Sequence, residues 1–335
     1  MKGLVQMSSP VLDLYEGKTV LVTGGQGFVG SAVVQALSNA RCNLVVLDQS
    51  ADSAWIPEGC VAKIKLVVDD IMEKQTWEAV LPGIDYLFHF AAIEYDRLNY
   101  DVEKDFRVNA LSVFNLLEAA QKSGCRPRVI FSSSANLFGL VDSCPVNEKC
   151  HDDPPSPWSV HKLAAENYLR IYSKRYDIRS VTLRLANVYG PAGRVESMSR
   201  VVLNRMIKKA LAGEELLLYS NQGCLRDFVF SADVADAFLR TACLDDALLD
   251  GRFFLVGGGQ SMTIGEVWRL VADRTKCRTG RPVQVRVDET VPLEPLDCRD
   301  FVADTSAYCA ATGWSPLVDL KHGIDITIQS YMPGQ

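Results

Sequence analysis

Residues 20–30, VLVTGGQGFVG, run from an apolar, β-prone stretch into Gly24, Gly25, Gly27 and Gly30 and then into a helix starting near Phe28. Glycines at that spacing allow a tight turn and let a pyrophosphate approach the backbone N–H groups at the positive end of the following helix. Gly24, Gly27, Phe28, Val29 and Gly30 are therefore candidates to hold a dinucleotide. A lone glycine fingerprint is weak, but this one follows a strand and opens a helix. The next apolar run, NLVVLD, ends in Asp48, an acid placed to accept from a ribose 2′-hydroxyl. Gln49, Ser50 and Ala51 follow, with no arginine to receive a 2′-phosphate, so NAD is favoured over NADP. Asp70 and Ile71, at the end of the third strand, are placed to border the adenine; a solvated strand-end acid is the alternative.

These groups need a frame. Short β-rich runs (KTVLVTGG, NLVVLD, AKIKLVVDD, YLFHFAA, RVIFSSS, RSVTLRLANVYG) alternate with amphipathic stretches, the rhythm of a doubly wound parallel sheet covered on both faces, in the α/β class. The stretch 101–124 predicts one helix with Phe106, Ala110, Val113 and Leu117 on one stripe and Gly124 at its end. After Gly190 the texture changes. A helix in RVVLNRMIKKALAG and a strand in LLLYS precede Arg226, and FFLVGGG returns to the sheet. The expected organisation is a Rossmann domain over 1–190, with return segments at about 228–260, and a smaller discontinuous lobe over most of 191–335 that binds substrate.

Composition narrows the partners. At 335 residues and 48% hydrophobic content the chain can bury a full core. A net charge of -6 lacks the broad basic face that nucleic acid or a membrane surface requires, so an anionic ligand must be held by local arginines. The ten cysteines contain no C-x-x-C, which fits reduced thiols better than a disulfide framework or a metal site. The segment before Lys18 does not read as a signal peptide, and no apolar run reaches the ~18 residues of a membrane span, so a cytoplasmic protein is expected.

Taken in order, TGGQGFVG, FHFAA, FRVNALSVFNLLEAA, FSSSANLFG, RLANVYGP, RDFVFSADVADAF and ADTSAYCAATGW resemble the extended short-chain dehydrogenase/reductase family, in particular its nucleotide-sugar epimerases. The resemblance spans nearly the whole chain. It implies that Ala91 and Ala92 line the cofactor, that Asn109 braces the active-site helix, and that Ser134 hydrogen-bonds the sugar hydroxyl being oxidised. It also implies that Lys162 holds the nicotinamide ribose, and that Asn187, Arg226 and Arg299 grip the diphosphate of a nucleotide sugar. A homodimer, through helices near 102–121 and 157–175, is expected on the same ground, although the stripe Ala165, Leu169, Tyr172 and Tyr176 equally suits an internal core.

One position departs from the family pattern. Four residues before Lys162, where these enzymes carry the catalytic tyrosine, stands Trp158. An indole N–H donates a hydrogen bond but has no accessible conjugate base, so Trp158 cannot take the tyrosine's part in proton transfer. Three explanations stay open: an impaired or altered enzyme, another base (His161, Glu94, Tyr95 or a water one of them holds), or a protein that binds NAD and a nucleotide sugar without catalysis. The residues after Ser134 are Ala135, Asn136 and Leu137, with no carboxylate of the kind the family's dehydratases and decarboxylases place there. That favours epimerisation, most readily at C4, over a dehydratase or decarboxylase using a different base.

Overall fold

The structure is a computed structural model describing residues 9–50, 52, 55–56, 59–94 and 100–332. Seven strands form the main sheet: β1 (Thr19–Thr23), β2 (Asn43–Asp48), β3 (Lys63–Val68), β4 (Tyr86–His89), β5 (Arg128–Ser134), β6 (Ser180–Leu185) and β10 (Asp250–Val256). They are ordered β10-β6-β5-β4-β1-β2-β3, and every pairing is parallel. Chain order reverses between β1 and β4, where an open α/β sheet offers a crevice at its carboxyl ends.

Alternation along β1 shows how the two faces are filled. Val20 and Val22 point into a core shared with the helices Phe28–Leu37 and Ser231–Ala242, through Val33, Val34, Val234 and Phe238. Leu21 points the other way, toward Trp77, Leu117, Ala165 and Leu169 of the helices Lys74–Val80, Ser112–Ser123 and Pro157–Tyr176. Burying each such Leu or Val is worth roughly 1.5–3 kcal/mol, so one strand slipped by a residue would lose both cores together.

The remaining strands are short and lie off the main sheet. β7 (Asn187–Tyr189), β9 (Leu225–Phe230) and β11 (Ser261–Thr263) make one small sheet, and β8 (Leu216–Leu218) pairs with β12 (Val285–Val287). A third core of Leu203, Ile207, Trp268, Val271, Ile324 and Ile328 supports them. Among the described residues no helix is long and apolar enough to cross a membrane.

Two expectations are corrected. The run RSVTLRLANVYG is two strands, because at Ala186 the chain leaves the main sheet, its amide bonded to Val256 O at 2.9 Å, and resumes beside β9. The helix over 101–124 is not regular: an α-turn Val102–Phe106 passes through a π-helical turn, Arg107–Leu111, before Ser112–Ser123. Ala110, Val113 and Leu117 are buried as expected, but Phe106 is 45% exposed. The π turn holds one residue more than the 3.6-residue period allows and rotates everything upstream off the stripe.

A dinucleotide turn facing two unmatched arginines

The glycine turn is close-packed. Gly24 adopts φ +64°, and a Cβ there would stand 2.6 Å from the Ala91 nitrogen, so β4 and the turn can meet only at a residue without a side chain. A Cβ on Gly30 would collide with the Gly24 carbonyl. Gly27 caps the helix Phe28–Leu37 with no side-chain oxygen, which leaves the first-turn amides of Phe28, Val29 and Gly30 for a ligand. Asp48, at the end of β2, accepts from Gln26 N at 3.0 Å and Gln49 N at 2.8 Å and is thereby aimed at the turn. Asp70 and Ile71 are held by their own loop: Asp70 accepts from Met72 N at 2.9 Å, while Ile71 is buried and its carbonyl accepts from the Trp77 indole at 2.8 Å. Among the described residues neither hydrogen-bonds another candidate, although Ile71 and Ala91 adjoin the same apolar cluster.

The ends of β4 and β5 carry a second group of polar side chains. His89 is buried, shares a 2.8 Å hydrogen bond with Thr23 Oγ1, and stacks on Phe131. Burial first, and then the Lys162 charge, push its pKa down to about 3, so it is neutral. Lys162 Nζ donates to Ser132 O at 3.0 Å and lies 4.6 Å from the Phe131 ring centre. Burial lowers its pKa to about 8, a fall limited by the more distant Glu166 and Asp105. Ser134 Oγ accepts from Asn136 N at 3.1 Å. Two buried polar atoms at these strand ends, His89 Nε2 and Ser133 Oγ, have no hydrogen-bond partner among the described residues. A cradle that any Cβ would fill, open helix-end amides and orphaned polar atoms all fit a dinucleotide.

Trp158 is tied down. Its indole N–H donates to Ile93 O at 2.7 Å, the same carbonyl that accepts from Asn109 Nδ2 at 3.0 Å, while Asn109 Oδ1 accepts from Ile93 N at 3.2 Å. The single polar atom of the ring is thus spent on the backbone beside Ala91 and Ala92. Asn109 also donates to the buried Asp105, which accepts from Tyr100 as well. His161 faces the same carboxylate, with Nδ1 3.4 Å from Asp105 Oδ2 and its ring edge-on to Phe106. It packs between helices rather than presenting its ring at the strand ends. Glu94 follows Ile93 with its side chain exposed, and the protein around its carboxyl raises its pKa by desolvation against the pull of Arg200 and Arg205. Tyr95 lies outside the described residues.

Across the cleft stand Arg226 and Arg299. Arg226, on β9, donates to the carbonyls of Leu225 at 2.9 Å, Asp297 at 2.7 Å and Arg299. Arg299 donates to Gly139 O and, at 2.7 Å, to Asn136 Oδ1, which places it two residues from Ser134. Neither forms an ion pair among the described residues. Burial and then the neighbouring Arg226 hold Arg299 down at about 10, and burial lowers Arg226 too. Asp297 and Asp300 offset part of that for Arg226 without pairing with it, so two partly buried guanidiniums that repel each other keep capacity for an anion. Asn187 donates to Asp227 O at 2.9 Å and so braces the same strand.

Two supporting residues escaped the sequence reading. Asp227 is fully buried and accepts from Gly258 N at 2.6 Å and Ala303 N at 3.1 Å, fixing β9 to the end of β10 and to the segment carrying Arg299. Burial raises its pKa in spite of those bonds. Arg184, in the middle of β6, reaches Glu166 at 2.7 Å and also pairs with Asp152, while its guanidinium lies 3.7 Å from the Phe253 ring centre. Glu166 is one turn beyond Lys162, so Arg184 anchors the helix that carries both Lys162 and Trp158. A charged residue inside a strand with no exposed face was the available signal.

Residues 20–257 match the NAD dependent epimerase/dehydratase family. The UDP-glucose 4-epimerase of Mycolicibacterium smegmatis is 30% identical over 322 residues, covering 93% of this chain and 97% of that protein. The fold is similar to that of a Thermus thermophilus UDP-glucose 4-epimerase in complex with NAD, with a TM-score of 0.77 and 29% identity over 93% of this chain and 98% of that one. It is also similar to the Thermotoga maritima UDP-glucose 4-epimerase with UDP-glucose, with a TM-score of 0.81 and 26% identity over 93% of this chain and 98% of that one.

Proposed function

Because the chain belongs to the NAD-dependent epimerase/dehydratase family and is an NAD protein, we propose that it is an epimerase of UDP-linked sugars, acting by transient oxidation and re-reduction at C4. The observation that carries the reading is the unmatched pair Arg226 and Arg299, joined through Asn136 to the end of β5. A diphosphate seated on that pair directs the attached sugar toward Ser134, and Asn187 braces the strand that bears Arg226. NAD, when bound, supplies a hydride acceptor that returns what it takes. Gly24, Gly27, Phe28, Val29, Gly30 and Asp48 would hold it, with Asp70 and Ile71 toward the adenine and Ala91 and Ala92 lining it. Ser134 orients the sugar hydroxyl and Lys162 supplies positive charge beneath it. The residues after Ser134 offer no carboxylate for eliminating water.

Trp158 contributes no proton transfer, since its N–H is committed to Ile93 O. Turnover in this form is therefore slow, by the ~10²–10⁴ that a general base is worth. The Trp158→Tyr variant, assayed beside the unaltered protein on a panel of nucleotide sugars for product identity and NADH absorbance, is expected to be faster by that factor on at least one sugar. A tryptophan form that outpaces the tyrosine variant points to an unrecognised base. If both bind the sugars and neither converts any, the epimerase reading fails. That same committed indole favours a second reading, a protein that binds NAD and a nucleotide sugar without chemistry.

Under either reading we assign 1–190, with about 228–260, to the cofactor domain and most of 191–335 to the substrate lobe, in a cytoplasmic protein. We also assign a homodimer. Phe106, Val160, Tyr168, Ile171 and Tyr176 leave an apolar face exposed on two adjoining helices, and sedentary monomers across the micromolar range in analytical ultracentrifugation would overturn it.

A further inference from the structure

The segment after β7 does more than connect strands. Gly193 N donates to Ser31 Oγ at 3.0 Å, and Ser31 is fully buried in the first turn of the helix Phe28–Leu37. A Cβ on Gly193 would come within 2.7 Å of the Trp55 ring and 3.0 Å of Ser31 Cβ, so this strap lies flush against both. One residue on, Arg194 donates to Gln26 Oε1 at 3.0 Å. The same guanidinium is 3.6 Å from Asp52 and 3.7 Å from Glu196.

Gln26 makes this arrangement unusual. It stands inside the glycine turn, is 5% exposed, and has its backbone amide and both ends of its side-chain amide engaged. Its amide N–H donates to Asp48 Oδ2, its side-chain NH₂ to Ser50 O, and its side-chain oxygen accepts from Arg194. One glutamine and one arginine thus join the pyrophosphate turn, the ribose-side loop after β2 and a strap that comes from outside the first three strands. These are the three segments around the position where the adenosine diphosphate half of a dinucleotide must lie.

We propose that Arg194 is the latch of this cofactor site: the Gln26–Arg194–Asp52 contacts must open before NAD enters or leaves. Arg194 touches no reacting atom and acts as a positioning residue. The latch rests only on NAD binding, not on the epimerase reading.

The test is the rate at which NAD leaves the loaded protein when diluted into excess of a fluorescent NAD analogue. Arg194→Ala removes a charge-assisted hydrogen bond and is expected to release NAD about 10- to 100-fold faster. Asp52→Ala and Gly193→Ala, which would loosen the strap without removing the arginine, are expected to speed release about 3- to 10-fold. Glu196→Ala, which removes a side chain that is itself 78% exposed, stays within about twofold. An Arg194→Ala protein that keeps NAD as long as the unaltered one overturns the latch. So does a fast Arg194→Ala with unchanged Asp52→Ala and Gly193→Ala, since the arginine then acts on NAD directly. Should Arg194→Ala fail to fold, the other two variants decide alone. Unaltered protein that binds no NAD removes the cofactor reading itself, a distinct failure.

Discussion

Arg184 and the pair Arg226 with Arg299 are both guanidiniums drawn into the protein, and they differ in what surrounds them. Arg184 is 1% exposed at its side chain and has its counter-ions built in. Burial works against its charge, but Asp152 and Glu166 outweigh that and raise its pKa. Arg226 and Arg299 have backbone carbonyls and one amide for company, and both are pushed down. A buried cation that carries its own anions is part of the frame. A pair without an ion pair among the described residues keeps its capacity to bind an anion, and the protein bears the cost of desolvating both.

That contrast can be broken most directly at Arg184. Arg184→Ala strands Asp152 and Glu166 and is expected to lower stability by about 3–5 kcal/mol in urea unfolding, while Arg299→Ala costs under about 1 kcal/mol. Equal losses would show that Arg299 is structural too. In the reverse direction, Arg299→Ala is expected to weaken UDP binding by about 10- to 100-fold in calorimetry, the worth of charged hydrogen bonds to phosphate. Lys162 sharpens the comparison as a third buried cation that forms no ion pair among the described residues. Its folded pKa of about 8 lies below its ordinary 10.5, so the unfolded chain binds more protons between those values. Its destabilising effect is full below pH 8 and is relieved as pH rises toward 10.5. Unfolding free energy measured against pH should therefore rise more across that window in the unaltered protein than in Lys162→Met. The smallest effect is expected at His161: His161→Ala should change turnover by less than about threefold, far short of a lost base.

What the sequence made legible was whatever rests on backbone chemistry or on order along the chain. Gly24 and Gly30 announce a turn that no side chain fits, Asp48 closes the following strand, and six β-runs separated by helices dictate the parallel sheet. What stayed hidden depends on contacts between distant segments. Arg184 reads as a polar interruption in VTLRLA, because its acids lie 18 and 32 residues away. Trp158 is plainly not a base, yet that its indole grips Ile93, 65 positions earlier, required the fold. The break at Ala186 was invisible because both halves of RSVTLRLANVYG have the same β-prone composition and only the partner changes.

The π turn at Arg107–Leu111 has a consequence for how the chain can vary in length. Excising one residue there would restore an ordinary helix and gain a regular hydrogen-bond ladder. If the residue lost were Arg107 or Val108, Asp105 would also turn about 100° around the axis relative to Asn109, re-aiming the carboxylate that Asn109 and His161 share. Surface loops tolerate insertions and deletions of this size, whereas this surplus residue is bound to the alignment of two helices.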